Sequence, residues 1–334
     1  MKESLPSDSQ NASPVSKEER GNAWKKKALI GLILITAVLV VAFLISPVRA
    51  TIAHVWFYLT ASEETKQLVI AGGNPGVPTK FKTFTPFGRE EMVFGVEGLV
   101  IDYAERANVR IASVANPKTM TNELYMLKDT PVLLTEDLYT KTDIAISHDG
   151  SHIAYSAPAE KRLTGPFFSL RAEDWTVQVM NLATREITDI GLGHGAQFVG
   201  TGASLKLLYS TTEGLVLVDL DTSERVSNEN VPAFSASHPI RVTSDGSKVL
   251  IFDPSLSTYR VYSINLESLE LMPLATLPHQ FAGAILTDTS VYWVKKGVEG
   301  TPSELWSLSL EEGATPHREY TFIDGFIVTR VIHP

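Results

Sequence analysis

The sequence predicts an all-β protein: a β-propeller of five four-stranded blades, or six, preceded by one transmembrane α-helix. Three observations predict it. An uncharged run, Ala28–Ile45, precedes a long stretch with no amphipathic helix in it. A strand–tight turn–strand segment then recurs, as IAISHDGSHIAYSA at 144–157 and IRVTSDGSKVLIFD at 240–253. A second segment of the same kind follows each copy. Its equivalent leucines, Leu127, Leu182, Leu220, Leu266 and Leu310, are spaced by 55, 38, 46 and 44 residues.

Residues 1–27 are rich in Ser, Asn, Glu and Lys and hold almost no large apolar side chains, so they are expected as a disordered cytoplasmic tail. Residues 28–46 are expected as the transmembrane helix. Eighteen helical residues measure about 27 Å, close to the hydrocarbon thickness of a bilayer. Lipid offers backbone amides no partner outside their own helix. Lys25, Lys26 and Lys27 abut one end of the run, whereas only Arg49 follows closely behind the other. The positive-inside rule therefore predicts a single-pass protein of the cell membrane, N-terminus cytoplasmic and the rest extracytoplasmic.

Trp24 and the run Trp56-Phe57-Tyr58 fit aromatic anchors at the two interfaces; burial against the following domain is the alternative for the second group. Val48-Arg49-Ala50 leaves another reading open, secretion after signal-peptide cleavage near Ala50. The long polar leader, and an apolar run exceeding the usual ~7–15 residues, stand against it. Residues 47–65 read as a juxtamembrane connector and 66–334 as the propeller.

Within the propeller, Asp149-Gly150 and Asp245-Gly246 suit hairpin turns, because Gly tolerates positive φ and Asp bonds its own backbone. Weaker copies of the first hairpin lie at 197–210, 284–295 and 102–115. The second hairpin reads VQVMNLATREIT at 177–188, LVLVDLDTSERV at 215–226 and VYSINLESLELM at 261–272, with further copies at 305–316 and 123–134. Each unit thus holds four short strands. A lone blade is apolar on both faces, and a ring of blades buries those faces. Phe326–Ile332 is the expected closing strand, and residues 66–100 join it if a degenerate sixth blade exists.

The segments ISHDGSHIAYS and VTSDGSKVLIF resemble the Ser-x-Asp-Gly hairpin of TolB-like, WD40-like propellers, and VMNLATRE and LVDLDTSE resemble that family's second hairpin. The resemblance covers roughly residues 100–330. It implies the fold and a habit of binding proteins or exposed ligands, and it transfers no catalytic residue. Similar propellers precede the hydrolase domain of prolyl oligopeptidase-type peptidases, but the sequence holds no Gly-x-Ser-x-Gly elbow, so that activity is not implied.

Composition narrows the chemistry. There is no cysteine, which excludes disulfides, cysteine zinc sites and thiol nucleophiles. Of 29 Lys/Arg and 38 Asp/Glu, seven and four lie in residues 1–50, leaving 22 and 34 beyond them, a net charge of −12. A domain this acidic is repelled by nucleic acid and by anionic lipid headgroups. His148 and His152 flank a hairpin turn and read as turn histidines rather than a metal pair. Asp219, Asp221 and Glu224 match a cation loop in part, but the same turn recurs as NLATRE and NLESLE. No metal or cofactor is expected.

First strands of blades line a propeller's channel. Asp143, His194, Gln197, His238 and Arg241 lie near such starts and are candidates for a ligand site at the channel mouth. The second of the five visible units carries an insertion, Pro158–Trp175, with Phe167 and Phe168 as candidate contacts for a protein partner. The function expected is a membrane-tethered protein-binding or scaffold module. A sensor of an envelope glycan, peptide or small ligand is the alternative, and a propeller glycosidase with paired carboxylates a third.

Overall fold

The computed structural model describes residues 29, 32–33, 36, 46–73, 79–116, 118, 121–137, 139–159, 174–200, 204–229, 231, 239–253, 255–278, 281–297, 301–323 and 326–332. The expectations for Trp24, Lys25, Lys26, Lys27, Phe167, Phe168 and His238, and for most of the apolar run, lie outside them. Among the described residues no helix is long and apolar enough to cross a membrane.

The chain divides into two units, Met1–His54 and Val55–Pro334. In the first, Leu29, Leu32 and Ile33 are helical and exposed. Thr36 Oγ1 donates to the Leu32 carbonyl at 2.9 Å, the back-bond by which a hydroxyl is accommodated on an apolar helix. Helix α1 is Ser46–Thr60 and α2 is Glu63–Gln67, so the 47–65 connector is largely helical. Ser62 caps α2, its Oγ accepting from Thr65 N at 3.0 Å.

The second unit is a six-bladed propeller, each blade a four-stranded antiparallel sheet. The first blade contains β1 (Val69–Gly73), β2 (Lys80–Thr85) and β3 (Gly88–Glu91). The second is β4 (Leu99–Arg106), β5 (Val109–Ala115), β6 (Asn122–Met126) and β7 (Val132–Leu133). The third is β8 (Thr142–Ile146), β9 (His152–Pro158), β10 (Trp175–Asn181) and β11 (Ile187–Leu192). The fourth is β12 (His194–Val199), β13 (Lys206–Ser210), β14 (Leu215–Asp219) and β15 (Arg225–Asn228). The fifth is β16 (Arg241–Val242), β17 (Lys248–Asp253), β18 (Thr258–Ile264) and β19 (Leu271–Thr276). The sixth is β20 (Phe281–Leu286), β21 (Ser290–Lys295), β22 (Ser303–Ser309) and β23 (His317–Phe322). The final strand, β24 (Ile327–Ile332), pairs with β1 and supplies the innermost strand of the first blade. The degenerate blade over 66–100 is therefore real, and the insertion lies in the third blade of six.

The repeated turns show why the sequence repeats. In the third blade, Asp149 Oδ1 accepts from Ser147 Oγ (2.6 Å), Ser151 N (3.0 Å) and Ser151 Oγ (2.7 Å), while Gly150 takes φ 73°. In the fifth, Asp245 Oδ1 accepts from Thr243 Oγ1 (2.6 Å) and Ser247 N (2.9 Å), with Gly246 again at φ 73°. Second hairpins share another circuit: Asn181 Oδ1 accepts from Ala183 N (2.9 Å), Asp219 Oδ1 from Asp221 N (3.0 Å) and Asn265 Oδ1 from Glu267 N (2.8 Å). The Asp219-Leu220-Asp221 run is thus the Asx turn of its neighbours.

Each seam between adjacent blades is filled by an apolar cluster. Ile111, Leu124, Ile153 and Tyr155 fill the second-to-third seam, and Leu208, Leu217, Val249 and Ile251 the fourth-to-fifth. The crossover after β7 buries Lys141, whose Nζ is held by Glu123 (3.0 Å), Asp137 and the Tyr139 carbonyl (2.7 Å).

At the sixth-to-first seam the N-terminal segment takes part. Phe57, 5% exposed, joins Ile70, Phe84, Tyr292, Phe322 and Val331. Its ring centroid lies 4.8 Å from that of Phe84 on β2 and 4.8 Å from that of Tyr320 on β23. Thr65 Oγ1 meets Tyr292 Oη at 3.0 Å. The Trp56-Phe57-Tyr58 run therefore splits: Phe57 is core, Tyr58 packs partly against it, and Trp56 is 68% exposed.

Candidate functional site

The innermost strands β24, β4, β8, β12, β16 and β20 surround the central channel. Five of them break pairing register with their neighbours: β4 between Val100 and Asp102, β8 between Thr142 and Ala145, β12 between His194 and Gln197, β20 between Ala282 and Ala284, and β24 around Thr329. A bulge re-aims side chains and bends the strand. Asp143 takes φ 55° there and Gly195 φ 66°. A Cβ on Gly195 would stand 3.0 Å from Pro239 Cβ and 3.1 Å from Pro239 Cα, so the fourth and fifth blades approach this closely only with glycine.

The bulges carry a polar network. Asp102 Oδ1 meets Arg330 Nη1 at 3.0 Å, and Asp102 Oδ2 accepts from Ile144 N at 3.3 Å. Arg330 Nη2 donates to the Ile101 carbonyl at 2.8 Å. One carboxylate thus links the inner strands of the first, second and third blades. Ser156 Oγ donates to Asp143 Oδ2 at 3.1 Å and accepts from Gly195 N at 3.1 Å, joining the third blade to the fourth. Asp143 is partly buried in the channel wall, and the loss of hydration there raises its carboxyl pKa against the pull of the Arg241 guanidinium; the Asp102 carboxylate adds to the rise.

The channel mouth holds about 230 Å³ and opens on the face of the a–b turns, those joining the first and second strands of each blade. Gln197 and Arg241 line it. Gln197 Nε2 donates to the Ala196 carbonyl (2.8 Å) and Arg241 Nη1 to the Ile240 carbonyl (2.9 Å). Asp143 stands in the same channel network, within electrostatic reach of Arg241.

His194 departs from expectation. Its side chain is buried and does not line the mouth; its carbonyl accepts from Ser210 Oγ at 3.0 Å, and burial lowers the imidazole pKa to about 4. The bulge at Gly195-Ala196 lies between His194 and Gln197, so the two side chains do not follow simple strand alternation.

Sequence reasoning missed Asp102, Arg106, Asp288, Arg330 and Glu64, which also line the mouth. Asp288 accepts from Ser244 N at 2.6 Å and from Ser244 Oγ. Burial lowers the Arg106 pKa, with Asp288 opposing. Glu64 Oε2 accepts from Thr289 Oγ1 at 2.7 Å and from Tyr292 Oη at 3.1 Å. Aligning the inner strands would have flagged Asp102 beside Gln197 and Arg241; no local signal marks Arg330.

A larger groove of about 690 Å³ separates the third and fourth blades on the same face. Its turn carboxylates Asp149, Asp219 and Asp221 already accept from their own loops or from Leu205 N. His148 and His152 also line it, with His152 Nδ1 2.7 Å from Ser151 Oγ. Among the described residues, no group of three or more His, Asp or Glu stands in a metal-ligating arrangement.

On the opposite face, Ala159 N donates to the Asp174 carbonyl at 2.8 Å. This bond extends the β9–β10 hairpin to Ala159 and Asp174; residues 160–173 lie outside the described ones.

No protein-family model matches the sequence, and no curated protein matches it. Solved structures share its fold. TolB from Acinetobacter baumannii superposes with a TM-score of 0.54 at 14% identity, over 84% of this chain and 69% of that one. A nidogen/laminin complex gives 0.52 at 11% identity, over 79% and 96%. An oligogalacturonate lyase in complex with manganese gives 0.51 at 12% identity, over 78% and 76%. At these identities the likeness is one of fold.

Proposed function

We propose that the chain is a membrane-tethered, extracytoplasmic propeller that binds a protein partner through the insertion between β9 and β10. The observation that carries this reading is the Ala159–Asp174 hydrogen bond, which extends the β9–β10 hairpin as far as the two residues that bracket, in sequence, the insertion with Phe167 and Phe168. The fold shared with a nidogen/laminin complex is in keeping with a protein-binding role.

The channel mouth supports a ligand reading less well. Its volume of about 230 Å³ falls below the ~300–1,000 Å³ usual for ligand pockets, and its carboxylates Asp102, Asp288 and Glu64 are engaged within the ring. The tether rests on the uncharged run Ala28–Ile45 behind three lysines. Cleavage near Ala50 would cut through α1, which favours the uncleaved form.

A photo-crosslinking residue at position 167 in intact cells tests the binding reading. A discrete adduct is expected there and not at the exposed Thr212 of the β13–β14 turn. Deleting 160–173 should abolish capture of that partner while leaving the unfolding midpoint unchanged. No adduct, or capture that survives the deletion, overturns the proposal.

A further inference from the structure

The propeller has two faces, and topology assigns each loop to one. β1 begins at Val69, with only Leu68 between it and α2, and β2 returns to the same face before the turn into β3. Phe87 sits in that turn and is 89% exposed. It follows Phe84, which packs on Phe57 of α1. On α1, Trp56 and Leu59 lie one helical turn apart and are 68% and 73% exposed, while Phe57 between them points into the seam. Three large apolar side chains therefore stand uncovered where the chain enters the ring. Other turns on this face are polar or acidic, as with Asp221-Thr222 and Glu311-Glu312. The hairpin end at Ala159 and Asp174 and the turn Thr211–Gly214 belong to the opposite face, since both join second strands to third.

We infer that Trp56, Leu59 and Phe87 form a lipid-contacting patch that seats this face of the propeller on the bilayer surface, turning the face of the Thr211–Gly214 turn into the aqueous phase. The inference rests on the tether proposed above. Two observations commit the patch to lipid. The uncharged run Ala28–Ile45 leads directly into α1, so a span there delivers the patch at the membrane boundary. The patch also joins Trp and Phe to Leu, the composition that partitions into the interfacial zone. The acidic turns elsewhere on the face are repelled by anionic headgroups, which restricts contact to the sixth-to-first seam.

The chain has no cysteine, so single labels are clean. Phe87→Cys, Leu59→Cys and Thr212→Cys, each in the full chain, carry an environment-sensitive fluorophore in phosphatidylcholine vesicles. All three positions are exposed, so folding is expected to survive, and unfolding midpoints within error of the parent verify it. Labels at 59 and 87 should lose more than about half their emission when the acyl chains are brominated, as for groups buried about 5–10 Å into the headgroup boundary, and the label at 212 none. A label at 87 quenched only by aqueous iodide, in vesicles that retain the chain, overturns the inference and leaves the tether standing. Protection from both quenchers, the mark of a protein cover, also overturns it. Failure of the vesicles to retain the chain overturns the tether and this inference together.

Discussion

Asp102 and Arg330, 228 residues apart in sequence, form an ion pair at 3.0 Å across the channel wall. Asp102 lies on the inner strand of the second blade and Arg330 on the last strand of the chain, which completes the first. The pair exists only once the ring has closed, so it reports on closure itself.

Arg330→Met should therefore lower stability by about 1–2 kcal/mol, because it strands a partly buried carboxylate and frees the Ile101 carbonyl. Adding Asp102→Asn should recover part of that loss, since no unpaired charge then remains. Urea unfolding of both single variants, the double variant and the parent measures this. Strictly additive losses would mean the pair is not coupled.

Phe57→Ala should cost about 3 kcal/mol, for it empties a seam filled from three sides. Trp56→Ala, one residue away, should change the unfolding midpoint in detergent by no more than about 0.5 kcal/mol, because its ring is exposed. Equal effects would show that α1 does not dock through Phe57.

The Asp hubs of the first hairpins set an acid limit. Hydrogen bonds from Ser147 and Ser151 hold the Asp149 carboxyl well below its ordinary range; for Asp245 burial opposes, and the bonds from Thr243 and Ser247 prevail. A depressed folded-state pKa contributes stability above the unfolded value near 4, and that stability is lost as pH falls through the folded value. Asp149→Ala and Asp245→Ala should each cost about 1 kcal/mol at pH 7, a cost that shrinks progressively as pH falls below about 4, measured by denaturant midpoints across pH.

His194 acts earlier on the same limb. Burial lowers its folded pKa to about 4 from 6.5, so the unfolded chain takes up a proton that the folded one refuses. Stability should fall by about 3 kcal/mol between pH 7.5 and pH 4 from this group alone, with no further loss from it below. His194→Gln should flatten that limb and leave the steeper carboxylate loss below pH 4 in place. An unchanged pH profile would show that the imidazole is not buried neutral.

The hairpins were legible because their turns carry local chemistry. Asp-Gly at 149–150 and 245–246, and the Asx turns at Asn181, Asp219 and Asn265, each close a circuit within a few residues. The first blade was faint for the opposite reason. Its strands lack such a turn, and its inner strand lies at the other end of the chain. The second blade's turn uses Ala107 and Asn108, both at positive φ, where Asn-Gly or Asp-Gly is the stronger signal.

By itself the sequence determined the repeating four-strand unit, the closing strand and the uncharged run at 28–45, because each is written in contiguous residues through turn chemistry, side-chain alternation and hydropathy. Tertiary structure decided the blade count, the inward turn of Asp102 and Arg330, the withdrawal of His194 and the division of labour between Trp56 and Phe57. Those outcomes depend on which strands become neighbours when the ring closes and on bulges that reset side-chain direction, and neither leaves a mark in the local pattern of residues.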